Sequence, residues 1–223
     1  APAARNWLLS LPEVRGRDFA AFLDDDVDLP PDWLARLLAA ARDTPLAGAV
    51  GCRIRAAAPP HFLQSADYNL LPAPDPAADQ SVAVFDNCAG TPDLGLFAYR
   101  RPAASVSGCC HLLRLDLMES VGGFDVRYTP SQFDDLDRDL RLLAAGRPAL
   151  YLGDLEARHV QFSSLAKAES PAKMGHVLGN KRKLEAKYDA RAARALTEAN
   201  LEMLRADLEG KCAEMAGWME ARK

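Results

Sequence analysis

The chain has 223 residues, 49% apolar and 26% charged, ordinary values for one globular domain or a domain with an appendage. Its net charge of −4 divides into −7 over residues 1–170 and +3 over residues 171–223, and a body this acidic excludes a nucleic-acid groove, which needs a basic stripe. An anionic ligand is compatible with such a body where a divalent cation or local amides offset the charge.

In chain order, Ala1–Arg5 lacks the basic-then-apolar order of a secretory leader. Phe19–Leu23 is a short apolar run ending in Asp24-Asp25-Asp26, which reads as a buried strand opening into a polar site. Pro30-Pro31-Asp32 starts a helix whose apolar face is Trp33, Leu34, Leu37 and Leu38. Ala47–Ile54 is a second strand, and the Pro/Ala/Asp-rich stretch 56–80 reads as a surface loop. Ser105–Leu115 is a third strand, and Asp116–Val121 a short helix closed by Gly122-Gly123. Ser131-Gln132-Phe133-Asp134 has capping-box spacing and opens a helix to about Ala145. Ala149–Leu152 is a fourth strand, and from Pro171 the pattern is helical, with Leu201, Leu204, Leu208, Met215 and Trp218 forming a docking or dimer-forming stripe. Strands alternating with helices predict an α/β sandwich around a mostly parallel sheet. No stretch of about 18 apolar residues occurs, so no membrane span is expected. Cys52, Cys88, Cys109, Cys110 and Cys212 show no zinc-ligand spacing, which points to reduced thiols and a cytoplasmic setting.

Three groups of residues can carry chemistry. Residues two apart at a strand end point the same way, so Asp24 and Asp26 can converge on a hard cation such as Mg²⁺ or Mn²⁺ while Asp25 points elsewhere. The same triplet can equally be a solvated turn facing the helix that follows. In Val121-Gly122-Gly123-Phe124-Asp125 and Phe133–Arg141, the glycines permit a tight turn, and i,i+4 spacing puts Asp135 and Asp139 on one face, Asp134 and Asp137 on the next. A surface helix balanced by Arg138 and Arg141 would look the same. His159 closes the last strand, either as a structural histidine or as a ligand.

Taken in order, Arg5-Asn6, Phe22–Val27 with Pro30-Pro31-Asp32-Trp33-Leu34, Ser107-Gly108-Cys109, Val121–Asp125, Phe133–Asp137 with Leu140-Arg141, and His159 resemble the middle of a family 2 glycosyltransferase, across roughly residues 4–165. The resemblance implies a GT-A fold: a mostly parallel mixed sheet flanked by helices, catalytic over 1–165, with a helical extension over 166–223. It implies metal-assisted, inverting transfer of a hexosyl-type sugar from a nucleotide-sugar donor to a glycan or other hydroxyl acceptor, in polysaccharide assembly. By that resemblance Asp26 coordinates Mn²⁺ or Mg²⁺ on the donor diphosphate, Asp24 and Arg5 help hold metal or donor, and His159 completes the metal shell or lines the pocket. Asp135 is the general base, with Asp134, Asp137, Gly122 and Gly123 lining the acceptor side; Asp134 stands where the family has a longer Glu. Family members carry further nucleotide-binding βα units ahead of this region, so an exposed sheet edge or the C-terminal helix is expected to support self-association. A non-catalytic GT-A-like binding module and a sugar-nucleotide nucleotidyltransferase are the competing readings; the second wants a Gly-rich phosphate loop that the sequence does not show.

Overall fold

A computed structural model describes residues 1–72, 82–86, 88, 90–160 and 171–222. Its strands are β1 (Phe19–Leu23), β2 (Val27–Asp28), β3 (Ala49–Ala56), β4 (Leu63–Ser65), β5 (Tyr68–Leu70), β6 (Val84–Asp86), β7 (Arg100–Ala103), β8 (Cys110–Arg114) and β9 (Ala149–His159). The helices are α1 (Pro2–Leu9), α2 (Trp33–Asp43), α3 (Leu115–Val121), α4 (Asp134–Ala144), α5 (Pro171–Lys187) and α6 (Ala190–Glu220). The main sheet runs β1-β8-β3-β9-β2, with β4 added to β3 and β7 to β9.

The expected mixed α/β architecture is present, and its internal order refines the sequence reading. β8 lies between β1 and β3, antiparallel to both, and β3 pairs β9 in parallel. Hence β1, β3 and β9 all run in one direction, as strand–helix alternation predicts; β8 is antiparallel to both its neighbours, β2, β4 and β7 also pair antiparallel, and β3–β9 is the parallel pair. β3 and β8 are near-continuous apolar runs because both faces of the sheet are covered. Leu37, Ala40 and Ala41 of α2 pack on one face against Val50, Ile54, Leu112 and Leu150. Met118, Phe124, Val106 and Tyr151 fill the other.

β9 is longer than the four residues read as a strand. It skips register against β3 between Cys52 and Arg53, where the pairing jumps from Leu152 to Glu156. Gly153 makes that bulge possible: its N–H donates to Tyr99 O, and a Cβ there would stand 2.0 Å from Phe97 O. Beyond the bulge the strand continues to His159, which pairs with Val27.

Two local expectations are corrected. Within the stretch read as a surface loop, Leu63 of β4, Asn69 and Leu70 of β5, and Ala66 and Asp67 between them are buried, because short strands between prolines are masked by the loop-like composition around them; residues 73–80 lie outside the described residues. The capping box does not form. Gln132 and Phe133 both adopt left-handed backbone (φ 77° and 70°), Phe133 is the N-cap, and the Asp134 carboxylate is drawn away to Arg5 at 2.8 Å.

The C-terminal helices share the core. Leu184, Tyr188 and Leu196 cluster with Leu70, Tyr128, Leu140 and Leu143, and Asn180 Nδ2 donates to the carbonyls of Tyr128 and Ser131. Along α6 the last fully buried residue is Asn200; Met203 still packs on this cluster and Lys211 Nζ donates to Arg100 O at 2.8 Å, while Leu208, Met215 and Trp218 are about 60% exposed. No described helix is long and apolar enough to cross a membrane.

Candidate active site

β1 delivers the acidic triplet to the end of the sheet. The Asp24 N–H donates to Cys109 O at 2.9 Å, continuing the β1–β8 ladder one residue past the strand. Strand alternation then separates the triplet: Asp24 and Asp26 are half-buried and Asp25 is exposed. Val160 N–H donates to Asp26 O, and this anchors the end of β9 beside the triplet.

His159 is the meeting point. Its Nε2 lies 3.0 Å from Asp26 Oδ1, and its Nδ1 lies 2.8 Å from Gln64 Oε1 and 3.9 Å from Cys109 Sγ. Ligand-capable atoms of Asp24, Cys109 and His159 all lie within 4.8 Å of one another. With Asp26 adjoining, these carboxylate, imidazole and thiol groups could hold one divalent cation. Burial raises the Asp24 carboxyl above its usual range, and Arg5 pulls it back. Burial also pushes the Cys109 thiol up to about 12.

Arg5 spans the gap from this cluster to α4. Its guanidinium sits 2.8 Å from Asp134 Oδ2 and 3.8 Å from Asp24 Oδ1, over the ring of Phe124. α1 is held in place by Asn6, which donates to Phe124 O at 2.7 Å and accepts from Phe124 N at 2.9 Å. Burial is the chief reason the Asp134 carboxyl is raised; the neighbouring Asp135 adds to it and Arg5 opposes it.

Asp135 faces the turn before β8. Its Oδ2 accepts the Gly108 N–H at 2.9 Å and its Oδ1 the Leu136 N–H at 2.9 Å. The approach demands glycine, since a Cβ at Gly108 would stand 2.4 Å from Asp135 Oδ2. Arg5, Arg138 and Arg141 pair with Asp134, Asp139 and Asp137 respectively, and among the described residues Asp135 has no ion pair.

Behind the Gly108 turn is a fully buried polar network. Asp139 accepts from Ser105 Oγ at 2.7 Å, Val106 N at 3.2 Å and Arg138 Nε and Nη2 at 2.8 and 2.6 Å. Arg138 Nη1 lies 2.8 Å from His111 Nε2, and His111 Nδ1 lies 3.1 Å from Gly108 O. Burial, reinforced by Arg138, pushes His111 far below its ordinary pKa, so the ring is neutral. Its Nε2 therefore accepts from Arg138 and its Nδ1–H donates to Gly108 O. One side of the turn is thus fixed by His111 while its N–H holds Asp135.

The structure brings Arg5, Asp24, Asp26, Asp134, Asp135 and His159 to one end of the sheet. It places Asp137, Gly122 and Gly123 elsewhere. Asp137 is fully buried, 2.7 Å from Lys187 Nζ and 3.0 Å from Arg141 Nε, and accepts from Tyr188 OH. Gly122 is the left-handed C-cap of α3, and Gly123 O accepts from Arg141; both line a separate open groove of about 420 Å³ with Asn6, Leu9 and Met118. Asp137 is therefore an anchor for α4 and α5 rather than part of the acceptor surface. From the sequence, Cys109 and Gln64 have no site role, and Arg138 and Asp139 read as helix-face charges without a link to His111. A histidine inside the otherwise apolar run 110–113 was the one local signal.

The model of the family described as glycosyltransferase like family 2 matches residues 3–172. The O-antigen biosynthesis protein RfbC of Myxococcus xanthus is 31% identical over 146 residues, covering 65% of this chain and 11% of that protein. A crystal structure of GalNAc-T7 with UDP, GalNAc and Mn²⁺ is similar over 70% of this chain and 30% of that one, at a TM-score of 0.50 and 11% identity, a likeness that shows the fold alone. The chain thus spans a small part of the length of each of these relatives. With the family match running from α1 through β9, the chain belongs to the glycosyltransferase-like family 2.

Proposed function

We propose that the chain is the metal-and-acceptor half of an enzyme that transfers a hexosyl unit from a nucleotide-sugar donor to a glycan hydroxyl, with inversion at the anomeric carbon. The observation that carries this is the convergence of two separate carboxylate groups on one end of the sheet: Asp24 and Asp26 with His159 on one side of Arg5, Asp134 and Asp135 on the other. Family membership supports glycosyl transfer as the class of reaction, and the O-antigen relative supports surface polysaccharide as its setting. The five free thiols fit a reducing, cytoplasmic location.

Asp24, Asp26 and His159 would hold Mn²⁺ or Mg²⁺ on the donor diphosphate, and Arg5 would stand beside the same phosphates. A bound cation supplies charge neutralisation to the leaving diphosphate. Asp135 takes the proton from the acceptor hydroxyl as that oxygen attacks the anomeric carbon opposite the leaving group, so configuration inverts. Backbone N–H groups at both of its oxygens orient the carboxylate, and each oxygen keeps a second lone pair for the acceptor. The His111–Arg138–Asp139 network fixes the Gly108 turn that sets this orientation.

Calorimetric titration of a panel of nucleoside diphosphates with and without Mn²⁺ tests the reading. Metal-dependent binding that Asp26→Ala abolishes supports it; no binding by a folded chain points instead to a non-catalytic module. Asp135→Asn is expected to keep that binding and lose transfer in the full-length protein. Transfer that survives removes Asp135 as the base.

A further inference from the structure

The metal-facing side of the site includes a sulfur. Cys109 Sγ lies 3.9 Å from His159 Nδ1, and its ligand atom falls within 4.8 Å of those of Asp24 and His159. Hard cations such as Mg²⁺ and Mn²⁺ favour oxygen ligands, whereas thiolate and imidazole together favour Zn²⁺, Cd²⁺ and Co²⁺. Asp24, His159 and Cys109 supply one carboxylate, one imidazole and one thiol, with Asp26 adjoining at His159 Nε2, a mixed donor set of the kind that holds zinc in proteins.

Three features show the thiol to be a fixed part of this site. The Cys109 backbone is locked by its carbonyl, which accepts the Asp24 N–H, and by its own N–H, which donates to Ser107 Oγ at 3.3 Å. Cys109 thus moves with the segment that carries Asp24 and Asp26. The imidazole of His159 is flanked by Asp26 Oδ1 and Gln64 Oε1, one at each nitrogen. Whichever nitrogen takes a metal, the other N–H keeps an acceptor that orients the ring. Cys110, the next residue, is fully buried in the sheet core and cannot substitute for Cys109.

Resting on the reading that Asp24 and His159 hold a divalent cation, we propose that Cys109 is a ligand of that cation and makes the site thiophilic, so that Zn²⁺, Cd²⁺ and Co²⁺ bind more tightly than Mg²⁺ or Mn²⁺. On coordination the thiol proton leaves to solvent and the thiolate sulfur binds the ion; no oxidation is involved. Zn²⁺ or Cd²⁺ is then expected to displace Mn²⁺ from the site.

The test is Co²⁺ titration followed by absorption, on protein carrying Cys212→Ser so that the exposed thiol cannot contribute. The expected result is a sulfur-to-cobalt charge-transfer band in the near ultraviolet, absent in Cys109→Ser. In the same variant Cd²⁺ affinity relative to Mn²⁺ falls by about tenfold or more. Cys109→Ala, checked for folding by circular dichroism, repeats the comparison without a hydroxyl that could itself ligate. Mn²⁺ and Co²⁺ binding without the charge-transfer band, or a band that persists in both Cys109 variants, overturns the proposal and leaves the metal site standing. Failure of every cation to bind the folded protein overturns the metal reading itself.

Discussion

Replacing Arg138 with methionine isolates the buried charge behind the Gly108 turn. The substitution keeps an apolar stem against Phe124 but removes both hydrogen bonds to Asp139 Oδ1 and the one to His111 Nε2. Asp139 remains fully buried with Ser105 Oγ and Val106 N as its partners. Removing one partner of such a pair costs about 3–5 kcal/mol. A ceiling on the charge penalty follows from chemistry: the folded chain can always take up a proton on Asp139. The work of protonating a group of ordinary pKa 3.8 is about 4 kcal/mol at pH 7 and about 1.6 kcal/mol at pH 5. Burial already raises the folded-state pKa of Asp139 above its unfolded value, so stability falls as pH climbs from 3.8 toward that raised value. Without Arg138 it rises further, and the deficit of the variant grows between pH 5 and pH 7. Urea unfolding of wild type and Arg138→Met at both values measures this, and a loss of about 4 kcal/mol lowers Tm at pH 7 by roughly 8–16 °C. Adding Asp139→Asn removes the charge and keeps a side-chain oxygen for Ser105 and Val106, so the double variant recovers most of the loss and flattens the pH dependence. A deficit that is equal at both pH values and not recovered by Asp139→Asn would refute the reasoning.

Gly108→Ala places a Cβ 2.4 Å from Asp135 Oδ2 and 3.0 Å from its Cγ, so the carboxylate must swing away. Nucleotide binding should persist while transfer falls on the order of 10²-fold, the expected effect of misplacing a reacting group by about 1 Å; steady-state kinetics at saturating donor checks it. Asn6→Ala removes the two bonds that tie α1 to Phe124. The expected loss is about 2 kcal/mol, or roughly 4–8 °C in Tm by thermal denaturation. Asp26→Ala is expected to abolish metal-dependent nucleotide binding without a comparable change in Tm, since the residue is half-buried at the surface end of the sheet.

Local pattern determined the faces of individual elements. An apolar strand ending in three aspartates specifies that alternate carboxylates share a side, and the structure exposes Asp25 while Asp24 and Asp26 turn inward. Helical spacing put Asp135 and Asp139 on one face, and both reach the 105–108 turn, the first at Gly108 and the second at Ser105 and Val106. The same reasoning could not tell which acid stays free for chemistry, because that depends on which cation arrives from elsewhere: Arg5 from α1 for Asp134, Lys187 from α5 for Asp137. It read the surroundings of Leu63 as a loop because proline-rich flanks hide three-residue strands, and so missed Gln64. Cys109 reaches Asp24 through the pairing of β1 with β8, and His159 arrives through a bulge that Gly153 permits. Side-chain periodicity fixes which way a residue faces along its own strand. Which distant strand lies alongside, and hence which thiol, amide or imidazole meets the aspartates, is set by long-range packing that no local window contains.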